Sequence, residues 1–289
     1  MTIKTLLAPM TGAKADKRVL DAARTMARFT TAHIHAVFLH PNPADVLASQ
    51  VGDGFGTTMV EPLIQAEEER AANALRAAQS TFDKWRKTNS IDESVGPPLS
   101  DQVTAEFSHK IGPIAENLIT FGRLADLVCV LRQSDTVSAD WRILAEAALI
   151  DSGKPVLLAP AKKPMKPIRS VAIAWNGSQE AARAVSFAMP VLEAAKSVTV
   201  IAGTSDDLLR SDVSAFTDSL KWHGIDATTK LIKAKGPDLS KRIQNAASKA
   251  DAQLLVLGAY SHSRFREFIF GGVTEDLLKA GEMPVLMAH

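Results

Sequence analysis

Two short segments, Pro155-Val156-Leu157-Leu158-Ala159 and Pro284-Val285-Leu286-Met287-Ala288, have nearly the same sequence. Each is an apolar run introduced by proline, which is typical of a short buried strand. A single shift along the chain also aligns three residues near the start of each copy: Gly12 with Gly177, Arg18 with Arg183 and Ala23 with Ala188. These aligned residues predict that the chain contains two copies of one structural unit.

Between these landmarks, short apolar runs alternate with longer amphipathic segments in both copies. The segment Ala161–Pro167 separates the copies and contains two prolines and three lysines, which is typical of a solvated linker. The predicted domains are therefore residues 1–160 and residues 168–289. Apolar strands that alternate with helices form a parallel sheet covered on both faces, so the predicted fold class is α/β, with two doubly wound parallel-sheet domains in tandem. The stretch Ala44–Met59 is predicted to be either a mobile cover over the strand ends of the first domain or a disordered surface loop, and its glycines favour the loop.

The two matched segments at the domain ends would be exposed sheet edges if each domain stood alone. Exposed edges promote aggregation, so we expect residues 155–159 to pair with residues 284–288 and form an internal pseudo-dimer of the two domains. A homodimer and a regulatory protein partner are also compatible with the sequence, which identifies neither.

The composition is that of a globular protein, since 46% of the 289 residues are hydrophobic and 22% are charged. The formal net charge of +1 shows no basic excess of the kind that nucleic-acid binders carry, so we expect no nucleic-acid partner. No apolar run approaches the ~18 residues of a membrane span, and the N-terminus has no signal-peptide pattern. Together with a single cysteine, Cys129, these features predict a cytoplasmic protein with no membrane partner.

One segment near the C-terminus combines glycines with a strand and a helix. Gly258–Thr274 follows the apolar run Leu254–Leu257 and precedes a predicted helix. Glycines let the backbone approach phosphate oxygens, and main-chain N–H groups at a helix N-terminus bind anions. The pattern favours a phosphate site at the end of this strand. The alternative is that the glycines only permit a tight strand exit and helix entry.

This segment resembles the nucleotide-binding loop of the universal stress protein family. That loop has Gly, two residues, Gly, nine residues, Gly and then Ser or Thr. Gly258 and Gly271 match its first and third glycines with the same spacing, whereas Ser261 replaces the second glycine and Gly272 replaces the hydroxyl residue.

The turn Ala174–Ser178 is similar to the family's first loop, with Asn176 in place of the usual Asp. The resemblance covers nearly the whole chain as a tandem pair. It implies the adenine nucleotide alpha-hydrolase-like fold, with ATP or another adenine nucleotide in the second domain. The site residues that it implies are Ala174, Trp175, Asn176, Gly203, Gly258, Ser261, His262, Ser263, Gly271, Gly272, Val273 and Thr274.

The first copy lacks the glycines of this loop. Arg132 falls at the place of Gly258, Asp135 falls at the place of the second glycine, and Arg142 falls near the helix-entry glycines. The turn Pro9–Gly12 also has no acid. We expect the side chains of Arg132, Asp135 and Arg142 to occupy the space that phosphates need. Asp135 should also repel phosphates, which leaves the first domain without a phosphate site.

Catalytic patterns are missing from the sequence. Ser178 and Ser263 lack the Gly-x-Ser-x-Gly elbow of hydrolases, and no phosphate-loop motif ending in Gly-Lys-Ser/Thr occurs. His33 and His35 alternate along one strand, but a zinc site would need two further ligands. The resemblance therefore implies a stress-response binding and regulatory module, neither an enzyme nor a metalloprotein. The alternatives are a slow ATPase or nucleotide transferase on the same fold, and an interaction protein without nucleotide.

Overall fold

The computed structural model describes residues 3–50, 57–96, 102–132, 140–160, 162–203, 207–233, 238–259, 272–279 and 281–289. Strands and helices alternate along most of this length. The strands are β1 (Thr5–Met10), β2 (His33–His40), β3 (Asp92–Glu93), β4 (Thr104–Ile111), β5 (Leu127–Leu131), β6 (Val156–Ala159), β7 (Ser170–Trp175), β8 (Ser197–Gly203), β9 (Ala227–Ile232), β10 (Leu254–Gly258) and β11 (Val285–Ala288). The helices are α1 (Asp16–Ala27), α2 (Pro43–Gln50), α3 (Thr57–Thr88), α4 (Ile114–Leu124), α5 (Asp140–Asp151), α6 (Gln179–Ala194), α7 (Asp207–Lys221), α8 (Leu239–Lys249) and α9 (Gly272–Leu278).

The strands form one sheet in the order β3-β4-β2-β1-β5-β6-β11-β10-β7-β8-β9. We term residues 1–160 the N-terminal half and residues 168–289 the C-terminal half. Neighbouring strands within each half are parallel. Apart from the two-residue strand β3 at one edge, both halves have the same strand order. In each half the next two strands lie on one side of the first strand and the last two lie on its other side, so the order reverses beside the first strand. Each half is thus a doubly wound α/β unit, as the alternation of strands and helices predicted.

The central strands are buried on both faces, which explains their continuous apolar sequences. All five residues of β5 are buried, including Cys129, which therefore fills the core. Buried apolar side chains of the two halves belong to one contiguous cluster. Among the described residues, no helix has both the length and the apolar character needed to cross a membrane.

The two halves meet at the only antiparallel strand pair among the described residues, β6 and β11, which we term the seam. The paired residues are Val285 with Leu158, Leu286 with Leu157, and Met287 with Val156. The predicted pairing of the last strands is therefore confirmed. Each strand supplies the neighbour that the other would lack, so neither half exposes this edge of its sheet.

The segment that follows β2 differs from the predicted loop, because residues Pro43–Gln50 form helix α2. Asn42 precedes the helix, and its Oδ1 accepts a hydrogen bond of 3.1 Å from the backbone N–H of Ala44. Proline at the first helical position after an asparagine cap is a known helix-start signal. The prediction gave more weight to the glycines at 52, 54 and 56, which lie outside the described residues.

A buried carboxylate holds the turn between β1 and α1. Asp16 is fully buried, and its Oδ1 accepts hydrogen bonds from the N–H and the hydroxyl of Thr11, at 3.0 and 3.1 Å. Its Oδ2 accepts a hydrogen bond of 2.8 Å from the N–H of Gly12. The sequence prediction found no acid in this turn, and the structure shows that an acid on the following helix folds back onto it. Burial raises the pKa of Asp16 to about 6, against the opposing effect of these hydrogen bonds.

Replacement of Asp16 by Asn should remove a pH dependence of stability. The pKa of Asp16 rises on folding from 3.8 to about 6, so between these pH values the folded chain binds more protons than the unfolded chain. Stability therefore falls as the pH rises through this window, by about 2 kcal/mol between pH 4 and pH 7. Urea unfolding should show that, between pH 4 and pH 7, the free energy of unfolding of Asp16→Asn rises by about this amount relative to that of the wild type.

The control for this experiment is Asp151→Asn, which removes an exposed carboxylate from the same half. This variant should keep the pH dependence of the wild type. If the stabilities of wild type and Asp16→Asn change in parallel with pH, the assignment to Asp16 is wrong.

The seam should hold the two halves together after the linker is cut. A protease recognition sequence inserted between Pro164 and Met165 would lie in a largely exposed segment. Because β6 and β11 share backbone hydrogen bonds and buried apolar side chains, the cleaved protein should elute in size-exclusion chromatography as one particle with the 31.0 kDa mass of the intact chain. Cleaved Leu286→Asp, which buries a charge opposite Leu157, should separate into halves. Separation of the cleaved wild type would contradict the prediction.

Candidate functional site

A doubly wound sheet binds ligands outside the carboxyl ends of its strands, at the point where the strand order reverses. In the C-terminal half this point lies between β7 and β10. Leu257 pairs with Ala174, so Gly258 and Trp175 end these two strands side by side. The structure thus brings the predicted site residues of the first loop next to the first glycine of the predicted phosphate loop.

The turn between β7 and α6 is shaped by its own polar side chains. The Oδ1 of Asn176 accepts a hydrogen bond of 3.1 Å from the N–H of Ser178, and the Oγ of Ser178 accepts one of 3.1 Å from the N–H of Ala181. Ser178 is therefore the N-cap of α6. Gly177 has a φ of +74°, in the left-handed region that glycine adopts at little cost. The sequence Asn-Gly-Ser thus suffices to start α6 at the carboxyl edge of the sheet.

The aromatic ring of Trp175 lies in a stacked pair. Its centroid is 3.7 Å from that of Phe216 on α7, and the two ring planes differ by 3°. The indole N–H is buried and has no hydrogen-bond partner among the described residues. Gly203, another predicted site residue, ends the neighbouring strand next to Ala202, which pairs with Trp175. Sequence reasoning missed Phe216, because no local pattern connects a helix residue to a strand end that lies far away in the chain.

Gly258 has a structural role that does not depend on a ligand. A Cβ at this position would lie 2.5 Å from the backbone N of Ala181 and 2.6 Å from the carbonyl carbon of Glu180. The first turn of α6 therefore packs directly on the end of β10, and only glycine leaves room for this approach. The interpretation of this glycine as a packing requirement is supported, and it is compatible with a phosphate site next to it.

The rest of the predicted phosphate loop falls mostly outside the described residues. This applies to Ser261, His262, Ser263 and Gly271. Gly272 is the first residue of α9, Val273 is partly exposed and Thr274 is buried. The described ends of the segment are thus a strand exit and a helix start, as the sequence predicted.

The corresponding turn of the N-terminal half is covered by another helix. Gly12 has a φ of +82°, and a Cβ there would lie 2.6 Å from the backbone oxygen of Ala74 on α3. At Gly177, in contrast, no described atom lies within 4 Å of the position of a Cβ. Among the residues that the structure describes, the turn is therefore closed in the N-terminal half and open in the C-terminal half.

The side chains expected to crowd the N-terminal site behave differently from one another. Arg132 is only 1% exposed and directly follows β5, where Gly258 ends β10 in the other half. Arg142 is partly exposed, and its Nε lies 2.6 Å from the Oε1 of Glu146, one turn further along α5. Whether Arg142 crowds a phosphate site stays a prediction. Asp135 lies outside the described residues.

The two histidines of β2 lie on one face of the strand, near a single acid. The Nε2 atoms of His33 and His35 are each 3.6 Å from the Oε1 of Glu106 on β4. The Nδ1 of His33 is 2.8 Å from the hydroxyl of Thr104, and the Nε2 of His35 is 2.7 Å from that of Ser108. Among the described residues, no three His, Cys, Asp or Glu side chains are arranged to hold a metal ion.

Comparisons with known proteins agree with the doubly wound α/β fold. Residues 167–289 match the profile of the universal stress protein family. No curated protein sequence matches the chain.

Two solved structures share the fold over nearly the whole chain. A universal stress protein from Archaeoglobus fulgidus DSM 4304 is 15% identical, with 99% of this chain and 96% of that chain covered and a TM-score of 0.71. A functionally unknown protein from Pseudomonas aeruginosa PAO1 is 15% identical, with 99% of this chain and 92% of that chain covered and a TM-score of 0.55. At these identities the similarity shows a shared fold and carries no statement about ligands. The match to the universal stress protein family thus covers residues 167–289, and the N-terminal half has the same strand topology as the C-terminal half.

Proposed function

We propose that the chain is a tandem universal stress protein, with domains at residues 1–160 and 168–289, that serves as a stress-response binding and regulatory module. In this proposal the C-terminal domain binds ATP or another adenine nucleotide, and the N-terminal domain binds none. The function is binding and not catalysis.

The observation that carries the proposal is the contrast between the two equivalent turns. Ala74 covers Gly12 in the N-terminal half, whereas no described residue covers Gly177 at the point where the strand order reverses. Ligands of doubly wound folds bind at this point, so a nucleotide could approach the C-terminal half and not the N-terminal half. Asp16 adds to the difference, because it already accepts the hydrogen bonds of the N-terminal turn.

The polar groups around the open turn suit a nucleotide. The indole N–H of Trp175 has no partner among the described residues and would be satisfied by a ligand acceptor. Asn176 and Gly177 are exposed, next to the first turn of α6. Asn176 carries no charge, so the departure from the family's Asp removes the anionic acceptor at this position.

The phosphates would bind along the segment from Gly258 to Thr274. Gly258 lets the strand end lie close to α6, and Gly272 is the first residue of α9. Gly271 directly precedes it in the sequence motif. Main-chain N–H groups in such a loop point toward an anion when no Cβ intervenes. This part of the proposal depends on the sequence motif.

The first test of the proposal is ATP binding measured by calorimetry. Gly271→Val should abolish binding, because its side chain would block the approach of a phosphate. Ser261→Gly should tighten binding by about fivefold, since positive φ at a residue with a Cβ costs about 1 kcal/mol and the strain would be felt only in the bound loop. Mass spectrometry of the denatured protein would identify a nucleotide that copurifies with the chain.

The matched control is Ile143→Val, near the equivalent position of the N-terminal half, where the side chain is 44% exposed. This variant should bind ATP like the wild type. Equal affinity of wild type and Gly271→Val would contradict the proposed site. No ATP binding by the wild type would favour an interaction protein without nucleotide.

A second test concerns catalysis. The sequence offers no catalytic base or nucleophile pattern beside the glycine loop, so we expect negligible multiple-turnover release of phosphate from ATP in the presence of Mg²⁺. Turnover that disappears in Gly271→Val would favour the alternative function, a slow ATPase.

A further inference from the structure

The guanidinium of Arg132 is buried at the carboxyl edge of the N-terminal half. Arg132 directly follows β5 and is 1% exposed. Its Nε, Nη1 and Nη2 all lack a hydrogen-bond partner among the described residues. Buried guanidinium groups are normally paired with an acid, a carbonyl or a bound anion, because an unpaired buried charge is strongly unfavourable.

The guanidinium of Arg132, which follows β5, extends past β6 to the connection that enters β11. The backbone N–H of Arg132 donates a hydrogen bond of 2.9 Å to the carbonyl of Ala159, the last residue of β6. On the far side of β6, the connection that enters β11 passes over the side chain: a Cβ at Gly281 would overlap Nη1 and lie 2.8 Å from Cζ. Glycine at 281 therefore gives the guanidinium the space that it occupies.

Arg132 remains charged at neutral pH. Burial lowers the pKa of Arg132 to about 10, and this value still leaves the group protonated under physiological conditions. The positive charge therefore needs a compensating negative charge that no described residue supplies within hydrogen-bonding distance.

The surface around the same end of the seam is also mainly positive. Lys163 forms an ion pair of 2.7 Å with Glu282, the residue after Gly281. The hydrogen bond from Lys163, its charge and the charges of Lys166 and Lys162 lower the pKa of Glu282, so these linker lysines lie near it. Glu282 is thus one exposed acid near three lysines, at the same end of the seam as the buried Arg132. The net positive charge of this group attracts anions.

We infer that this end of the seam is a binding site for a small oxyanion, a phosphate or carboxylate group, held by the guanidinium of Arg132. A guanidinium presents several N–H groups in one plane and binds two oxygens of such a group at once. Access requires a shift of Gly281, which packs against the guanidinium, and the neighbouring Glu282 is exposed. The site is separate from the proposed nucleotide site, since it uses the carboxyl edge of the other half.

The test is thermal unfolding of the full chain during titration with inorganic phosphate, with the ionic strength kept constant by NaCl. The wild type should gain about 2–5 °C in Tm for each tenfold increase in phosphate above its Kd. Arg132→Met should lose this gain. Without phosphate, Arg132→Met should be at least as stable as the wild type, because it replaces an unpaired buried charge by an apolar side chain of similar length. A parallel titration with acetate separates a phosphate ligand from a carboxylate ligand.

The matched control is Arg142→Met, which removes the same charge from a partly exposed position and should keep the phosphate response. A second variant, Arg132→Lys, retains the charge without the planar group and should raise the apparent Kd about tenfold. Three results would overturn the inference: no phosphate or acetate response in the wild type, an equal response in Arg132→Met, or a large loss of stability in anion-free Arg132→Met, which would indicate pairing with an acid of the chain.

Discussion

The antiparallel pairing of β6 with β11 is the interaction on which the rest of the molecule depends. Every other strand pair among the described residues is parallel and lies within one half, so this seam alone joins the two sheets. Because equivalent last strands run in opposite directions, the carboxyl ends of the two parallel sheets point to opposite edges. The open turn at Gly177 and the covered turn at Gly12 therefore lie on different sides of the molecule, and each can be specialised without affecting the other.

The two halves show how one topology gives two different environments. In the N-terminal half, Asp16 satisfies the N–H groups of the first turn, and Ala74 packs against Gly12. In the C-terminal half, Asn176 and Ser178 form a local turn and cap, which leaves the adjoining backbone uncovered. The difference follows from the long helix α3, between β2 and β4, which carries Ala74 over the N-terminal turn.

The ends of the equivalent strands β5 and β10 carry very different residues, an arginine and a glycine, for physical reasons. Gly258 has no side chain because the backbone of α6 approaches within 3 Å of where a Cβ would lie. Arg132, at the same place in the other half, sends its side chain across the seam to Gly281. The large side chain of Arg132 fits there because Gly281, in the connection that enters β11, has no side chain. The seam thus shapes a polar site as well as the sheet.

The sequence by itself determined the alternation of strands and helices, the repeat, and the pairing of the two matched end segments. These features follow from the apolar periodicity of adjacent residues and from the need to cover a sheet edge, both of which are visible locally. Tertiary structure alone decided that Asp16 folds back onto its turn, that Phe216 stacks on Trp175, and that Ala74 covers Gly12. Each of these contacts depends on the distance and angle at which helices pack on the sheet, and a pattern of neighbouring residues does not encode that geometry. The same reason explains why Arg132, expected only to crowd a phosphate loop, lies instead against Gly281 at the seam.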